Sequence, residues 1–331
     1  MAETLICLGI ESTADNLGVG IATSEGEILA NVVSVHIPET GGIHPREAAR
    51  HHSAVMGDVI AEALEKADIT AREIDVVAFS QGPGMGPCLR TGATAARAIA
   101  CRLGVPLVGV NHCVAHIEIG RLTAGAEDPL TLYVSGGNTI VSGFEGGRYR
   151  VFGETLDIAV GNMLDVFARE AGLPYPGGPA VERLARRGQR LIRLPYVVKG
   201  MDLSFSGLLT AAIRELQSGR WSLEDLCYSL QEHAFAMLGE VTERALAHTE
   251  KGELLLTGGV AANMRLRDII RSIAEEHGAE PKYVPKQYAT DNGAMIAWTG
   301  LLAYQSGVET PIEESYIDPK WRLDEVEIPW R

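Results

Sequence analysis

Residues 5–23 read LICLGIESTADNLGVGIAT, two short apolar runs on either side of a polar turn. The β-branched residues and spaced glycines of both runs are typical of strands, so this stretch predicts a β-hairpin with a polar tip. Residues 130–145, LTLYVSGGNTIVSGFE, repeat the plan of strand, glycine-containing tip and return strand. This repetition indicates a large internal duplication.

A third element, ELLLTGGVAANMRLRDIIRSIAEE at residues 253–276, places a strand before two glycines and an amphipathic helix after them. A glycine turn between strand and helix lets backbone amides approach a phosphate. A single Gly-Gly pair is also common in ordinary tight turns. Three such elements together resemble the phosphate and adenosine loops of the actin, sugar-kinase and heat-shock ATPase superfamily, in which two lobes clamp a nucleotide.

The rest of the chain alternates strand-like and helical stretches, which predicts the α/β class. We place the boundary near Asp128–Pro129, so residues 1–128 are predicted to form a first lobe and residues 129–307 a second.

Composition excludes several classes of protein. The chain is 46% hydrophobic and 22% charged, the balance of a folded protein, and its net charge of −14 gives polyanions no general attraction. A histone-like or nonspecific nucleic-acid binder is therefore excluded. The five cysteines are too scattered for a disulfide scaffold, and no apolar run approaches the ~18 residues of a membrane span. We expect a soluble, cytoplasmic protein.

His112 and His116 are four residues apart in a helical stretch, which places both imidazoles on one helix face, as metal ligands often are. Two histidines also occur at this spacing by chance. Cys113 stands where the zinc peptidase motif H-E-x-x-H needs glutamate, so that class is disfavoured. Asp291 is the candidate third ligand, and simple N-capping of the last long helix is the alternative.

Other charged side chains have both an ordinary and a functional interpretation. Asp165 and Glu182 flank a Pro/Gly turn, where they are either solvated or positioned to accept hydrogen bonds from a ribose. Glu11 at the tip of the first hairpin is similarly ambiguous. The arginines within residues 183–193 offset a helix dipole or contact phosphates.

Long motifs follow one another from end to end of the chain: GIEST at Gly9–Thr13, GGIHPREAARHH at Gly41–His52, SQGPGMGPCLRTG at Ser80–Gly92, NHCVAHIE at Asn111–Glu118, YVSGGNT at Tyr133–Thr139, GETLDIAVGNMLDVFAR at Gly153–Arg169, KGMDLSFSGLLTA at Lys199–Ala211, TGGVAANMRL at Thr257–Leu266 and ATDNGAMIAW at Ala289–Trp298. With these motifs the chain closely resembles the universal tRNA threonylcarbamoyl transferase family in its archaeal and eukaryotic form. That form is the catalytic subunit of the KEOPS complex, and relatives were formerly described as O-sialoglycoprotein endopeptidases.

The resemblance implies two duplicated actin-like (ribonuclease H-like) lobes with a nucleotide and metal cleft between them, and a C-terminal segment, about residues 308–331, that returns to the first lobe. It implies one divalent metal, iron or zinc, held by His112, His116 and Asp291 with Tyr133 as an additional ligand. Catalytic roles are expected for Glu11, Ser135, Gly136 and Gly137. The implied substrate-binding residues are Tyr133, Val134, Ser135, Gly136, Gly137, Asp165, Gly178, Glu182 and Asn263.

The implied reaction moves a threonylcarbamoyl group from threonylcarbamoyl-adenylate to the exocyclic amine of adenosine 37 in tRNAs that read codons starting with A, and releases AMP. ATP or AMP is expected as a further nucleotide ligand. The implied partners are tRNA, a separate synthase of the adenylate, and KEOPS subunits that include a small atypical protein kinase and a small dimeric subunit. No membrane partner is expected.

Two rival functions stay open at this stage: an ATP-hydrolysing or phosphoryl-transferring member of the same superfamily, and a nucleotide-binding scaffold subunit. A metallopeptidase is the weakest reading, because H-E-x-x-H is missing. One assay separates the transferase from these two rivals. A transferase forms the modified nucleoside, a phosphoryl-transferring enzyme forms a phosphorylated product, and a scaffold subunit forms neither.

Overall fold

The computed structural model describes residues 4–38 and 42–331, so Gly41, the first residue of one family motif, lies outside the described residues, as do the first three residues of the predicted first lobe. The chain divides into two compact units. Unit 1 comprises residues 1–123, 145–149 and 290–331, and unit 2 comprises residues 124–144 and 150–289. Within the described ranges no helix is both long and apolar enough to cross a membrane.

Unit 1 contains a five-stranded sheet in the order β3-β2-β1-β4-β5. β1, β2 and β3 pair antiparallel, whereas β4 lies parallel to both β1 and β5. The strands are β1 (Ile6–Glu11), β2 (Asn16–Thr23), β3 (Ile28–Val35), β4 (Val76–Gly82) and β5 (Leu107–Asn111). The helices are α1 (Pro45–Ala67), α2 (Gly86–Leu103), α3 (His112–Ala124) and, near the C-terminus, α10 (Gly293–Gln305).

Unit 2 repeats a five-stranded sheet, in the order β12-β11-β6-β7-β8. β6 and β7 form an antiparallel hairpin, and β11 lies parallel to both β6 and β12. The strands are β6 (Leu130–Val134), β7 (Thr139–Glu145), β8 (Arg148–Glu154), β11 (Glu253–Thr257) and β12 (Glu280–Tyr283), with a small separate hairpin of β9 (Val198–Lys199) and β10 (Asp202–Leu203). The helices are α4 (Val160–Glu170), α5 (Gly177–Ala185), α6 (Ser206–Ser218), α7 (Leu223–Thr249), α8 (Met264–Glu276) and α9 (Lys286–Ala289).

Both predicted hairpins are present, as β1–β2 and β6–β7. The third predicted element differs in detail, because a 3-10 turn at Gly259–Ala262 separates β11 from α8. Gly258 has φ +93°, and a Cβ there would lie 2.2 Å from the carbonyl oxygen of Val134. Only glycine tolerates that approach, so this residue holds the ends of the two parallel strands β6 and β11 together.

Helix α10 belongs to unit 1, whereas the predicted second lobe extended to residue 307 and included this helix. The physical reason is close packing of the helix backbone on the sheet. A Cβ at Gly9 would lie 2.2 Å from the backbone nitrogen of Ala297, and one at Gly20 would lie 2.1 Å from that of Ala294. Because both strand positions are glycine, no side chain separates α10 from the sheet.

Candidate functional site

The two predicted histidines lie at the start of α3, directly after β5. Asn111 caps the helix, because its side-chain oxygen accepts hydrogen bonds from the amides of Cys113 at 2.9 Å and Val114 at 3.2 Å. Both histidines are buried, and their ring centroids are 4.7 Å apart in an edge-on arrangement. The predicted pairing of His112 and His116 on one helix face is confirmed.

Asp291 comes to the same place from the N-terminal end of α10. Its Oδ1 lies 3.1 Å from Nε2 of His116 and 3.6 Å from Nε2 of His112. The alternative role as helix cap falls to its neighbour, because the side chain of Asn292 accepts the hydrogen bond from the amide of Met295. The carboxylate of Asp291 is therefore directed to the histidines rather than to the helix end.

Glu11, at the end of β1, is fully buried behind His112. Its Oε2 lies 2.9 Å from Nδ1 of His112, and its Oε1 accepts hydrogen bonds from the amide of Thr13 at 2.7 Å and from the Thr13 hydroxyl. A carboxylate that accepts a hydrogen bond from Nδ1–H favours the tautomer whose Nε2 is free to bind a metal. Glu11 is thus an orienting residue for His112 in this structure, which differs from the direct catalytic role expected from the sequence.

The charges of this cluster are strongly coupled. Burial opposes a charge on His112, but the carboxylates of Glu11 and Asp291 outweigh it and raise the pKa of His112 to about 9. Burial lowers the pKa of His116. Burial also opposes ionisation of Asp291, yet His112 and the hydrogen bond to His116 lower the pKa of that carboxyl to about 2. The two carboxylates, Glu11 at Nδ1 and Asp291 at Nε2, thus favour positive charge at His112.

These three residues fit a single metal ion. One ligand atom from each of His112, His116 and Asp291 lies within 4.8 Å of the others, and this is the set of such residues that the described part of the chain brings together. Atoms that share one ion at about 2.1 Å lie no more than about 4.2 Å apart, and the histidine-to-aspartate distances of 3.1 and 3.6 Å meet that limit. Two imidazoles and one carboxylate suit iron or zinc.

Replacing Glu11 by glutamine tests its orienting role. The amide keeps the shape of the side chain but carries no charge to hold the Nδ1 proton of His112. We expect metal affinity to fall about 10- to 100-fold, the usual loss for such a partner, as measured by competition with a chelator. Glu118→Gln is the control, because Glu118 is also buried on α3 but bonds to Tyr149 and Arg121 instead. Equal metal affinity in both variants would contradict the role.

The predicted substrate-binding tip of the second hairpin lies in unit 2, between β6 and β7. The Ser135 hydroxyl accepts hydrogen bonds from the amides of Gly137 at 3.3 Å and Asn138 at 3.0 Å. The Tyr133 hydroxyl accepts from Ser135 and from the Asn138 side chain, both at 3.3 Å. A Cβ at Gly136 or Gly137 would meet nothing within 4 Å, so the backbone here is open to a ligand. The Gly137 amide, however, is already engaged by Ser135.

The other predicted substrate residues also converge within unit 2. Asp165 on α4 accepts hydrogen bonds from the amides of Gly177 at 2.7 Å and Gly178 at 3.3 Å, which closes the first turn of α5. Burial raises the pKa of Asp165. From α5, Glu182 accepts a hydrogen bond from the amide of Met264 at 3.1 Å, the first residue of α8. Asp165 and Glu182 are therefore not solvated helix-face residues.

Asn263 caps α8 through bonds to the amides of Arg265 and Leu266. Its side-chain nitrogen donates to Gln231 Oε1 at 2.9 Å. Gln231 is buried on α7 and was missed by sequence reasoning, since a single glutamine in a long helix gives no signal. Asn292 was also missed, although Asn followed by a helical stretch is a recognisable cap.

A family model described as tRNA N6-adenosine threonylcarbamoyltransferase matches residues 27–298. A relative of that name from Thermofilum pendens is 60% identical over 329 residues, 99% of this chain and 98% of the relative. One from Methanopyrus kandleri is 56% identical over 336 residues, 98% of this chain and 96% of the relative.

A probable bifunctional tRNA threonylcarbamoyladenosine biosynthesis protein from Methanothermobacter thermautotrophicus is 59% identical over 326 residues. The match covers 98% of this chain but 61% of that protein, so the chain spans about three fifths of its length.

Solved structures resemble this one in fold alone. HypF of T. kodakarensis matches with a TM-score of 0.64 at 17% identity, over 92% of this chain and 48% of that one. Component A of the Acidaminococcus fermentans (R)-2-hydroxyglutaryl-CoA dehydratase matches with a TM-score of 0.55 at 16% identity, over 90% of this chain and 98% of that one. The predicted α/β class with two actin-like lobes is confirmed. On the strength of the family match and the archaeal relatives, the chain belongs to the tRNA N6-adenosine threonylcarbamoyltransferase family.

Proposed function

We propose that this chain transfers the threonylcarbamoyl group of threonylcarbamoyl-adenylate to the exocyclic amine of adenosine 37 in tRNAs that read codons starting with A. The observation that carries the proposal is the buried cluster of His112, His116 and Asp291 with Glu11 behind it, in a chain of this family.

The chemistry makes modest demands on the protein. The amine forms a C–N bond to the carbamoyl carbonyl carbon, the bond from that carbon to the phosphate oxygen breaks, and AMP leaves with the electron pair. The proton of the amine passes to solvent. Because AMP is a good leaving group, the protein must chiefly position the two substrates and stabilise negative charge on the attacked oxygen.

Each residue then has a defined task. His112, His116 and Asp291 would hold one iron or zinc ion, with the Tyr133 hydroxyl as an additional ligand, and such an ion supplies Lewis acidity toward a substrate oxygen. Glu11 would accept the hydrogen bond from Nδ1 of His112, which leaves Nε2 as the nitrogen directed to the ion. The tip from Val134 to Gly137 would bind the acyl-phosphate portion of the substrate.

The residues around the start of α5 and α8 would form the nucleotide pocket for the adenylate, ATP or AMP. Asp165 and Glu182 stand at these helix starts as carboxylates, which can accept hydrogen bonds from the ribose hydroxyls of a nucleotide. The residues are Asp165, Gly178, Glu182 and Asn263.

Gly137→Val tests the tip. A Cβ at this position would meet nothing within 4 Å, so we expect the fold to persist while the side chain fills the space beside the backbone. We expect nucleotide affinity to fall at least tenfold, about 1.4 kcal/mol, by calorimetry. Gly252→Val is a matched control elsewhere in unit 2, where a Cβ also meets nothing within 4 Å. Wild-type affinity in Gly137→Val would remove the tip from the site.

We further propose that the chain works inside the cell as the catalytic subunit of a KEOPS complex. Its partners would be a small atypical protein kinase and a small dimeric subunit, with a separate synthase that supplies the adenylate. The net charge of −14 supports this dependence, because an acidic chain offers few contacts to RNA phosphates. The isolated chain is therefore expected to bind tRNA weakly and to turn over slowly.

Reconstitution tests the function. The chain, its partner subunits and the synthase are incubated with tRNA transcript, threonine, bicarbonate and ATP, and the nucleosides are analysed. Threonylcarbamoyladenosine at position 37 supports the proposal. A phosphorylated product would instead indicate a phosphoryl-transferring enzyme, and neither product would indicate a scaffold subunit.

A further inference from the structure

The chain between α5 and β9 presents an unusual surface in unit 2. Residues 186–197 form neither helix nor strand. Ile192 and Leu194 are buried, whereas Leu191 and Arg193 are exposed. Alternation with a period of two is typical of an extended chain that buries one face and offers the other to solvent.

Side chains of α7 hold this segment in place through its backbone. Oδ1 of Asp225 accepts hydrogen bonds from the amides of Gln189 at 2.8 Å and Arg190 at 3.0 Å. Four residues further along the same helix face, Oγ of Ser229 accepts from the amide of Ile192 at 2.8 Å. Residues 189–192 of the segment are therefore fixed through their main chain.

Two further contacts extend this anchoring. His233, another four residues along α7, lies with Nε2 3.4 Å from the amide of Leu194. At the start of the segment, a Cβ on Gly188 would lie 2.4 Å from Cβ of Tyr228 and 2.7 Å from the carbonyl oxygen of Glu224. Glycine at that position lets the chain lie directly on the helix.

The outward face is rich in cations. Arg186 is paired with Glu182 at 2.6 Å. Four other exposed arginines have no ion-pair partner among the residues that the structure describes, and they are Arg183, Arg187, Arg190 and Arg193. The chain has a net charge of −14, so four such guanidinium groups within eleven residues make this surface locally more basic than the chain as a whole. We call residues 183–196 the arginine segment.

The shape of this surface favours an extended ligand. A pocket of about 260 Å³ opens beside it, lined by Arg187, Gln189, Arg190, Ser222, Glu224 and Asp225. Two carboxylates in that lining disfavour one tightly enclosed phosphate. Arginines spaced along an anchored chain suit successive phosphates of a polymer instead.

Apolar side chains lie among the arginines. Leu191 is 62% exposed and Tyr196 is 46% exposed. The Tyr196 hydroxyl donates a hydrogen bond to Glu240, which restrains the ring. Exposed aromatic rings among cations are typical of surfaces that stack unpaired bases.

We propose that the arginine segment binds the sugar–phosphate backbone of the tRNA substrate, with Tyr196 against a base. This inference rests on the proposed function for the identity of the RNA, but it concerns a surface of unit 2 that the chemistry does not use. The segment supplies the phosphate contacts that the acidic remainder of the chain lacks.

The test is binding of a tRNA transcript to the full chain across a salt series, with Arg187, Arg190 and Arg193 all replaced by alanine. We expect affinity at low salt to fall at least tenfold and the salt slope to decrease by about 2 to 3, since each lost phosphate contact lowers it by about 0.7 to 0.9. Replacing Arg72, Arg150 and Arg214 by alanine is the control. Those arginines are exposed, have no ion-pair partner in the described ranges, and change the net charge equally.

An unaltered affinity and slope in the first variant would overturn the proposal, and so would equal losses in both variants, which would indicate bulk charge. Retained tRNA binding with loss of a protein partner would assign the surface to protein and also overturn it. The reconstitution assay separates this from the proposed function. If the wild type binds tRNA through the segment but forms no threonylcarbamoyladenosine, the function fails and the surface stands.

Discussion

Replacing His116 by alanine is expected to remove the bound metal and to reduce threonylcarbamoyl transfer by more than about 100-fold, beyond the loss that follows removal of a residue behind a ligand. His116 is fully buried, and its Nε2 lies 3.1 Å from the carboxylate of Asp291. Without it, two ligands are left, and Asp291 loses the hydrogen bond that holds its side chain. Elemental analysis of the purified protein measures the metal, and nucleoside analysis measures the transfer.

His52→Ala is the matched control. His52 is equally buried in unit 1, but its Nε2 lies 3.4 Å from the carbonyl oxygen of Asp15, and it is not one of the three clustered ligand residues. That variant should lose stability and keep its metal. Circular dichroism establishes that both variants fold. Metal content at the wild-type level in His116→Ala would show that the cluster does not hold the ion.

Local signals in the sequence predicted the scaffold of this site well. The pattern of strand, tip and return strand predicted both hairpins, because β-branched runs and glycines determine local backbone structure within a few residues. The spacing of His112 and His116 gave their shared helix face for the same reason, since helical geometry fixes which residues are neighbours. Helix α7 (Leu223–Thr249) likewise begins at a local signal, because the side chain of Ser222 accepts a hydrogen bond from the amide of Asp225.

Features that depend on distant residues were not predictable in this way. Whether Asp291 caps its helix or faces the histidines is decided by Asn292, whose side chain takes over the cap. The role of Glu11 depends on the end of β1 lying close to the start of α3, and no spacing in the sequence predicts that. Arg186 likewise differs from the other arginines within residues 183–193, because it forms an ion pair with Glu182. The sequence pattern alone does not distinguish it from them.

Assignment of α10 to the second lobe illustrates the same limit. The helix carries Asp291 at its start, yet its docking on the first sheet is controlled by glycines more than 270 residues earlier in the chain. A glycine in a strand is ordinarily interpreted as a weak point or a bulge. Here Gly20 and Gly293 contact each other through their backbones, and the site depends on that contact.

Gly293→Ala is therefore expected to cause the largest loss of stability. The new Cβ would lie 2.1 Å from the backbone nitrogen of Gly20 and 2.3 Å from the carbonyl carbon of Val19, so strand or helix must move. Overpacking in a core commonly costs 1–3 kcal/mol, and a clash with backbone on both sides should exceed about 3 kcal/mol. Movement of α10 also displaces Asp291, so metal affinity should fall together with the free energy of unfolding.

Gly57→Ala provides the control because it makes the same substitution within a helix of unit 1. Gly57 is exposed in α1, and a Cβ there would meet nothing within 4 Å. Alanine is the better helix former by about 0.8–1.0 kcal/mol, so this variant should be slightly more stable than the wild type and bind metal normally. Denaturant unfolding of the two variants, with chelator competition on the same samples, measures both quantities. Normal stability and metal affinity in Gly293→Ala would mean that the start of α10 is not held against β2, and that Asp291 reaches the histidines by some other restraint.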